Sequence, residues 1–544
     1  MNWLLLVLLV CTSGRCSGGT YNGFQYSVSG SDVTITGYGG PDFTTIPSSI
    51  PGVGTVTTIG EGAFTLCSRL TSLTIPDSVT SIGDYAFTDC YGLTSVTIPG
   101  GVTSIGVWAF EGCERLANVT IGSRVASIGD YAFQACSSLA SVTIPGSVTS
   151  IGDYAFQTCS GLTNITIGNG VTSIGEGAFE QCERLAGVTI PGSVTSIGEG
   201  AFMLCSRLTS VAIPSSVTSI GDQAFYFCSS LAAFTVDTQN PSYSSLDGVL
   251  FDKYQTTLLQ CPPEKAGAYT IPGSVTSIGD EAFASCSNLT SVAIPGSVTS
   301  IGDEAFSYCS SLTGVAIPSS VTSIGDQAFS FCSRLAAFTV DAQNPSYSSL
   351  GGVLFDKHQT TLLQWPPEKA GAYTIPGGVT SIADSAFEDC NKLTSVTIPG
   401  SVTSIGYAAF YGCGRLTTAF FQGNPPPSFG IAVFWQTALY SIYYPSKSTG
   451  WTTPTWNGYP ARPYVYTPPA QFPTLSLMRG LGTVTPSFTS LQLGTNYQLQ
   501  VSTDLSTWTN TGAAFIATSA SELYPQPFDV SDWSQLFFRL RSAP

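Results

Sequence analysis

Cysteine is the residue type whose chemistry and spacing most need an explanation in this chain. The sequence contains 16 cysteines, and thirteen of them recur mostly at 23-residue intervals: Cys67, Cys90, Cys113, Cys136, Cys159, Cys182, Cys205, Cys228, Cys286, Cys309, Cys332, Cys390 and Cys413. In an exported chain, so many cysteines would ordinarily indicate disulfides, whereas zinc would require ligands at short spacing, and the sequence has no C-x-x-C or Cys/His pair. Equivalent side chains of stacked repeats point the same way, and thirteen cannot all pair. We therefore predict buried thiols that fill a tight corner.

Carboxylates recur in the same periodic way. In most repeats an acid directly follows a glycine, as at Asp84, Asp130, Asp153, Glu176, Glu199, Asp222, Asp280, Asp303 and Asp326. Stacked carboxylates could bind calcium, but a calcium site needs several oxygens that converge from different directions. The acid also stands where the N-cap of a short helical turn would stand. We therefore predict helix capping and no metal site.

Groups for nucleophilic or acid–base catalysis are scarce. The single histidine is His358, and the equivalent residue of a nearly identical segment is Tyr254, so we interpret His358 as a surface turn residue. The sequence has no G-x-S-x-G, H-E-x-x-H or phosphate-loop motif. A pair of carboxylates for glycoside hydrolysis stays an open alternative, because a sequence does not show which acids lie close together in the fold. We predict no catalytic residue, no cofactor and a protein that is not an enzyme.

The charge balance argues against one class of partner. Acids outnumber bases 34 to 18, which gives a formal charge of −16, and charged residues make up only 10% of the chain. A negative surface repels phosphate backbones. We therefore expect no nucleic-acid binding, and the weakly charged composition suits an exported protein.

The repeat that positions these residues is clearest in residues 136–158. Its apolar positions are Leu139, Val142, Ile144, Val148, Ile151, Ala155, Phe156 and the following Cys159. Residues 142–144 alternate as a strand, residues 147–151 form a second extended run, and Asp153 precedes a helical turn over residues 154–157. One repeat has too few apolar side chains to fold alone, whereas stacked copies bury a continuous core. The pattern predicts a mainly β solenoid with short helical turns.

The number of coils follows from the Ala-Phe pair that marks each repeat. Thirteen such pairs occur, at Phe64, Phe87, Phe110, Phe133, Phe156, Phe179, Phe202, Phe225, Phe283, Phe306, Phe329, Phe387 and Phe410. Two steps are 58 residues long instead of 23. Their extra segments, residues 240–272 and 344–376, contain two β-prone runs around a polar turn. We predict about thirteen coils, two of which carry an inserted hairpin.

The repeat resembles a known family in specific residues. The pattern L-x-x-V-x-I-P, V-x-x-I-G-x-x-A-F and a following cysteine is present as Leu93, Val96, Ile98, Pro99, Val102, Ile105, Gly106, Ala109, Phe110 and Cys113, and it recurs in coil after coil. It is similar to the BspA-like, Treponema pallidum-type leucine-rich repeats over residues 56–422. This resemblance implies a leucine-rich repeat solenoid and adhesion to host or neighbouring-cell surfaces.

The ends of the chain differ from the repeats. Residues 1–19 contain an apolar run too short for a permanent membrane anchor, so we predict a signal peptide and a secreted or cell-surface protein without a later transmembrane segment. We assign residues 20–55 to an N-terminal cap, 56–422 to the solenoid, 423–465 to a C-terminal cap and 466–473 to a linker. Residues 474–544 are predicted to form a small β-sandwich-like module, which resembles modules on secreted bacterial proteins.

Aromatic side chains give the sharpest candidate for a ligand site. Tyr85, Trp108, Tyr131 and Tyr154 occupy one position in four successive coils, and glycine takes that position in the next two. If exposed, they form a strip able to bind protein or sugar; alternatively, the rings only shield the outer side of the coils. We predict adhesion to extracellular proteins, with glycan binding, a structural envelope role or a repeat-scaffolded hydrolase as alternatives.

Overall fold

The computed structural model describes residues 17–464 and, beyond them, the strands of residues 474–542. Residues 1–16 of the predicted signal peptide and the predicted linker at 466–473 lie outside the described residues. The chain divides into two compact units, Met1–Tyr443 with Gly450–Ala461, and Tyr444–Thr449 with Arg462–Pro544. Each unit is described by itself.

A ladder of short parallel strands runs along the first unit. It begins with the antiparallel pairs among Ser17–Tyr21, Phe24–Ser29 and Asp32–Tyr38 and between Ser49–Ile50 and Gly54–Ile59. From Asp32–Tyr38 and Gly54–Ile59 it continues in parallel through Ser81–Ile82, Ser104–Ile105, Ser127–Ile128, Ser150–Ile151, Ser173–Ile174, Ser196–Ile197 and Ser219–Ile220. Each isoleucine of this Ser-Ile ladder pairs with the isoleucine of the next coil, as Ile105 pairs with Ile128. The glycine after each isoleucine extends the ladder, because its N–H donates a hydrogen bond to the carbonyl oxygen of the isoleucine in the preceding coil.

A second set of parallel strands, which forms several short sheets and is called the second sheet, lies on the other side of the coils. Its strands in this part of the chain are Phe43–Thr45, Ser72–Thr74, Ser95–Thr97, Asn118–Thr120, Ser141–Thr143, Asn164–Thr166, Ser210–Ile213 and Ala233–Val236. In Ser141–Thr143 the central Val142 is buried and its two neighbours are exposed. The predicted period-2 strand is therefore present, with one face in the core.

Two inserted segments interrupt both sheets. The first consists of Tyr243–Leu246, Val249–Asp252 and Thr257–Gln260, and the second of Tyr347–Leu350, Val353–Asp356 and Thr361–Gln364. In each, the first two strands form an antiparallel hairpin and the third returns to the Ser-Ile ladder. Asn240 fixes the first hairpin: its amide donates to the carbonyl oxygens of Pro214 (2.7 Å) and Val217 (2.9 Å).

The coils after each insert repeat the same arrangement. The ladder continues in Ser277–Ile278, Ser300–Ile301, Ser323–Ile324, Ser381–Ile382, Ser404–Ile405 and Ser428–Phe429. The second sheet continues in Gly267–Thr270, Leu289–Ala293, Gly314–Ile317, Ala337–Val340, Gly371–Thr374, Leu393–Ile398 and Thr418–Phe421. Strands Ser441–Pro445, Thr455–Trp456 and Tyr459–Tyr464 follow.

The core is a column of phenylalanine rings between the two sheets. Successive rings are stacked, with centroids 4.9 Å apart for Phe87 and Phe110 and 5.2 Å apart for Phe133 and Phe156. Each of these rings is fully buried. The column explains why a single repeat cannot fold alone, since each ring is covered by the rings of the neighbouring coils.

The predicted helical turns are wrong, because the described residues contain no helix. Tyr154 and Thr158 have left-handed φ angles of 57° and 56°, which are incompatible with an α-helical turn. The N–H of Phe156 donates to the carbonyl of Ala178 in the next coil at 2.8 Å, so this segment adds a third line of hydrogen bonds between coils.

The prediction of thirteen coils is also wrong, because the solenoid has about 19 turns. Turns without the Ala-Phe pair also join the ladder, and they include the strands Asp32–Tyr38, Thr257–Gln260, Thr361–Gln364 and Ser428–Phe429. A β ladder requires backbone N–H and C=O groups and not a particular side chain. Counting one side-chain signature therefore gives too few turns.

The described strands of the second unit form two four-stranded antiparallel sheets. One contains Thr474–Arg479, Thr483–Thr489, Ser521–Leu523 and Phe528–Asp529, and the other Asn496–Ser502, Thr509–Asn510, Phe515–Ile516 and Phe537–Ser542. That the two sheets form a sandwich stays a prediction. No helix in the part of the chain that the structure describes is both long and apolar enough to cross a membrane.

Candidate ligand-binding surface

The four predicted site residues lie together as one aromatic stack, defined as Tyr85, Trp108, Tyr131 and Tyr154. The Tyr85 and Trp108 ring centroids are 6.3 Å apart, those of Trp108 and Tyr131 4.0 Å, and those of Tyr131 and Tyr154 5.0 Å. The planes of neighbouring rings differ by 12° or less. Tyr85 is 43% exposed, and the other three rings are half-buried. The stack is therefore a partly exposed aromatic surface across four coils.

The backbone under the aromatic stack is unusual. The four residues have φ angles between 57° and 60°, in the left-handed region. Glycine occupies the same position in other coils, at Gly62, Gly177 and Gly200, also with positive φ. A left-handed conformation costs a residue with a Cβ atom about 1–2 kcal/mol, while a stacked aromatic pair contributes about 0.5–1.5 kcal/mol. The area that the half-buried rings remove from water adds to this contribution, so the stack also stabilises the coils that carry it.

One end of the aromatic stack is covered. The Tyr154 ring lies over Gly177, where a Cβ atom would approach ring atoms Cδ1 and Cε1 to 2.4 Å. The Tyr154 hydroxyl donates a hydrogen bond to the Glu176 carboxylate, which raises the pKa of Tyr154 above its usual value. Glycine at position 177 thus lets the ring lie flat against the next coil.

The periodic acids connect coils and do not cap helices, so the capping prediction is wrong. The Asp153 carboxylate accepts a hydrogen bond from the N–H of Glu176, the equivalent residue of the next coil, at 2.8 Å. The same bond joins Asp84 to Val107 at 2.8 Å and Asp130 to Asp153 at 2.9 Å. Because the Ala-Phe segment is not helical, each of these carboxylates accepts from an N–H group of the next coil and not from a helical turn of its own coil. Within the described residues, no three Asp, Glu, His or Cys side chains are placed to hold a metal ion.

The cysteine column consists of free thiols, as predicted. All of the once-per-coil thiols are buried except that of Cys67, which is partly exposed. Most of these thiols donate to a phenylalanine carbonyl of the preceding coil, as Cys136 does to Phe110 (3.3 Å) and Cys159 to Phe133 (3.2 Å). Cys67, Cys286 and Cys390 are the exceptions and donate to other backbone carbonyls. Burial raises the pKa of the Cys159 thiol to about 12. A thiol with such a pKa is protonated at neutral pH and is a poor nucleophile.

The first insert creates a cavity of about 530 Å³ that was not predicted. Its acidic lining residues are Glu199, Asp222, Asp280, Glu281 and Asp303. Burial raises the pKa of Glu281 to about 7, and the nearby Glu304 and Asp280 carboxylates add to the effect. The Gln223 amide donates to Glu281 and opposes this shift. The acids that line this cavity come from coils before and after the insert, so the 23-residue spacing of the sequence gave no signal for the cavity.

The second insert forms the corresponding cavity of about 300 Å³ with fewer acids. Asp326 and Asp384 remain, but Ser385 and Tyr407 stand where the first segment has Glu281 and Asp303. His358 is exposed on this insert, which confirms its interpretation as a surface turn residue. Its counterpart Tyr254 is 82% exposed.

Comparison with known proteins gives a family match along most of the solenoid. The model of the BspA-type leucine-rich repeat region matches residues 47–163, 126–251, 265–363 and 369–454. A comparison with curated proteins gives no match.

Solved structures of bacterial leucine-rich repeat proteins are similar to the chain. A leucine-rich cell surface protein of Faecalibacterium prausnitzii is 30% identical, with 75% of this chain and 96% of that chain covered and a TM-score of 0.48. A leucine-rich repeat protein of Bacteroides ovatus is 23% identical, with 78% and 99% covered and a TM-score of 0.46. The pneumococcal vaccine antigen PcpA is 20% identical, with 80% and 89% covered and a TM-score of 0.37.

Proposed function

Because this chain belongs to the BspA-type leucine-rich repeat family, we propose that it is a secreted or cell-surface protein that adheres to extracellular proteins of a host or neighbouring cell. The aromatic stack is the proposed contact surface. The weakly charged composition and the apolar run near the N-terminus support this location.

The observation that carries the proposal is the contrast between the aromatic stack and the exposed face of the second sheet. The exposed residues of the second sheet are small and polar, as Ser141 and Thr143 illustrate. Binding energy at protein interfaces concentrates in a few Trp, Tyr and Arg side chains. The aromatic stack provides such side chains in a contiguous row, on a backbone position that is compatible with glycine.

A binding role without catalysis fits the chemistry of the described residues. The periodic thiols are buried apart from that of Cys67, and the only histidine is exposed on a turn. The acids of the ladder accept hydrogen bonds from backbone N–H groups of the next coil. We therefore propose a repeat protein that is not an enzyme.

The test compares two variants of the full chain. Trp108→Gly combined with Tyr131→Gly removes the centre of the stack while keeping a residue that suits the left-handed backbone. Tyr254→Gly removes an exposed aromatic ring from another surface and serves as the control. Each protein is immobilised and used to capture extracellular proteins, which mass spectrometry identifies.

We expect specific captured proteins to be lost with the double variant and retained with Tyr254→Gly. Equal capture by both variants would contradict the role of the aromatic stack. A glycan array probed in parallel tests sugar binding, which the hydroxyl-bearing rings of the stack make the second candidate. If neither assay detects a ligand and the intact protein is strongly retained in the cell envelope, the structural alternative replaces adhesion.

A further inference from the structure

The two ends of the aromatic stack differ. At the far end, Tyr154 lies against Gly177 in the following coil, as described above. At the near end, a Cβ atom at Gly62 would have only the Thr65 hydroxyl within 4 Å, at 3.3 Å, so the Tyr85 ring does not lie against it. Since position 62 carries no side chain, the ring face of Tyr85 that points toward the preceding coil has no ring stacked on it.

The space above Gly62 and beside the Tyr85 ring, called the slot from here on, has room for a flat group. Gly62 and Tyr85 occupy equivalent positions and have similar φ angles of 62° and 57°. A ring at position 62 would continue the stack, in which neighbouring ring centroids are 4.0–6.3 Å apart. A planar group from a ligand can take the place of that absent ring.

The charges beside the slot favour a cation. Glu61 and Asp84 directly precede Gly62 and Tyr85, and both are exposed. The Asp84 carboxylate is held toward the following coil, where its Oδ1 atom accepts from the N–H of Val107, so Glu61 is the acid on the Gly62 side of Tyr85. Two ion pairs are found between described residues, Arg69 with Asp42 and Lys392 with Glu368, and neither involves these two acids.

We propose that an arginine side chain of the extracellular partner protein enters the slot above Gly62. Its guanidinium group stacks on the open face of Tyr85 and donates hydrogen bonds to the carboxylate of Glu61. Arginine suits the slot better than lysine, because its guanidinium is planar, always charged, able to stack on aromatic faces and able to bind carboxylates with two parallel bonds. The inference rests on the proposed function, because it assigns the partner chemistry at one end of the aromatic stack.

Two matched variants of the full chain test the slot. Gly62→Tyr fills it with a ring, and the four aromatic residues at the equivalent position show that this backbone tolerates one. Gly200→Tyr adds the same ring at φ 58°, two coils beyond Tyr154, where the nearest atom to an added Cβ is the Cβ of Met203 at 3.8 Å. Circular dichroism and thermal unfolding verify that both variants fold.

The probes are fluorescein-labelled peptides with four Arg-Gly, Lys-Gly or citrulline-Gly repeats, and binding is measured by fluorescence anisotropy at fixed salt concentration. Citrulline keeps the planar shape of arginine without its charge. We expect the arginine peptide to bind at least fivefold more tightly than the lysine peptide and the citrulline peptide to bind more weakly still. Gly62→Tyr should weaken arginine-peptide binding at least tenfold, whereas Gly200→Tyr should leave it unchanged.

Unchanged binding in Gly62→Tyr, or equal binding of the arginine and citrulline peptides, would overturn the proposal. Chitohexaose is tested as a further ligand. If it binds and Gly62→Tyr abolishes this binding, the slot is a sugar site and the proposal is overturned. The outcomes are separable from the proposed function. If Trp108→Gly with Tyr131→Gly loses the captured proteins while Gly62→Tyr retains them, adhesion through the aromatic stack stands and the arginine slot fails.

Discussion

The ring of Tyr154 lies so close over Gly177 that a Cβ atom at position 177 would approach two of its ring atoms to 2.4 Å. The same contact brings the Tyr154 hydroxyl to the carboxylate of Glu176. A glycine in one coil thus determines where an aromatic ring of the preceding coil lies. The aromatic stack ends at this point because the next equivalent residue has no ring to add.

Gly177→Ala should displace the Tyr154 ring, and Gly200→Ala is its control. Both glycines have positive φ, so both substitutions introduce left-handed strain of about 1–2 kcal/mol. Only Gly177→Ala also places a methyl group 2.4 Å from a ring. We expect it to lower Tm more than Gly200→Ala and to lower the pKa of Tyr154, since the bond to Glu176 is lost. Equal Tm changes, with an unchanged ultraviolet phenol titration, would contradict this relationship.

The buried thiols should resist alkylation in the folded protein. Cys136 and Cys159 have no exposed surface, and burial raises the pKa of both thiols. We expect iodoacetamide to leave them unmodified at pH 8 and to modify them fully in guanidinium chloride. Peptide mass spectrometry measures both states, and partly exposed Cys67 serves as an internal comparison. Peptides linked by disulfides between neighbouring coils would contradict the assignment of these cysteines as free thiols.

The sequence predicts the parts of the fold that depend on local patterns. The alternation around Val142 and the turn glycines repeat in every regular coil, so the strands and the buried face follow directly. The left-handed φ of Tyr154 does not follow, because aromatic residues rarely adopt it and only the contacts with the next coil stabilise it. The predicted helical turn failed for this reason.

The candidate site was predictable only in part. The column of four aromatic residues is visible as a departure from the repeat, and the structure stacks them. The open face of Tyr85 and the acidic cavity near Glu281 are not visible, because both depend on what a neighbouring coil lacks. A pattern of residue types records which side chains are present and not which spaces they leave empty.

Asp153→Ala should remove one hydrogen bond between two neighbouring coils and lower the stability of the chain. The Asp153 carboxylate accepts from the N–H of Glu176, and an exposed bond of this kind contributes about 1 kcal/mol. Asp153→Asn keeps an acceptor oxygen and should therefore lose less stability than Asp153→Ala. Hydrogen exchange locates the effect: we expect faster exchange at Glu176 in Asp153→Ala. Faster exchange at Phe156 with no change at Glu176 would support the helix cap instead.

Glu281 should make the stability of the folded chain depend on pH. Its pKa is raised from 4.5 to about 7, first by burial and then by nearby carboxylates, so the folded state holds a proton that the unfolded state releases. Where the folded state binds more protons, stability falls as pH rises. This contribution is complete below pH 4.5 and is lost as pH rises through about 7.

We therefore expect Glu281→Gln to flatten the decrease in Tm between pH 4.5 and 7.5, because a neutral amide cannot ionise in the cavity. Glu281→Ser provides a second variant, since Ser385 occupies the equivalent position of the other insert, where the corresponding cavity is built without this acid. Asp326→Asn, next to that second cavity, is the control and should leave the pH dependence of the parent chain intact. If Glu281→Gln and the parent chain lose Tm in parallel over this range, the raised pKa belongs to another group, and the acidic cavity contributes nothing to pH sensitivity.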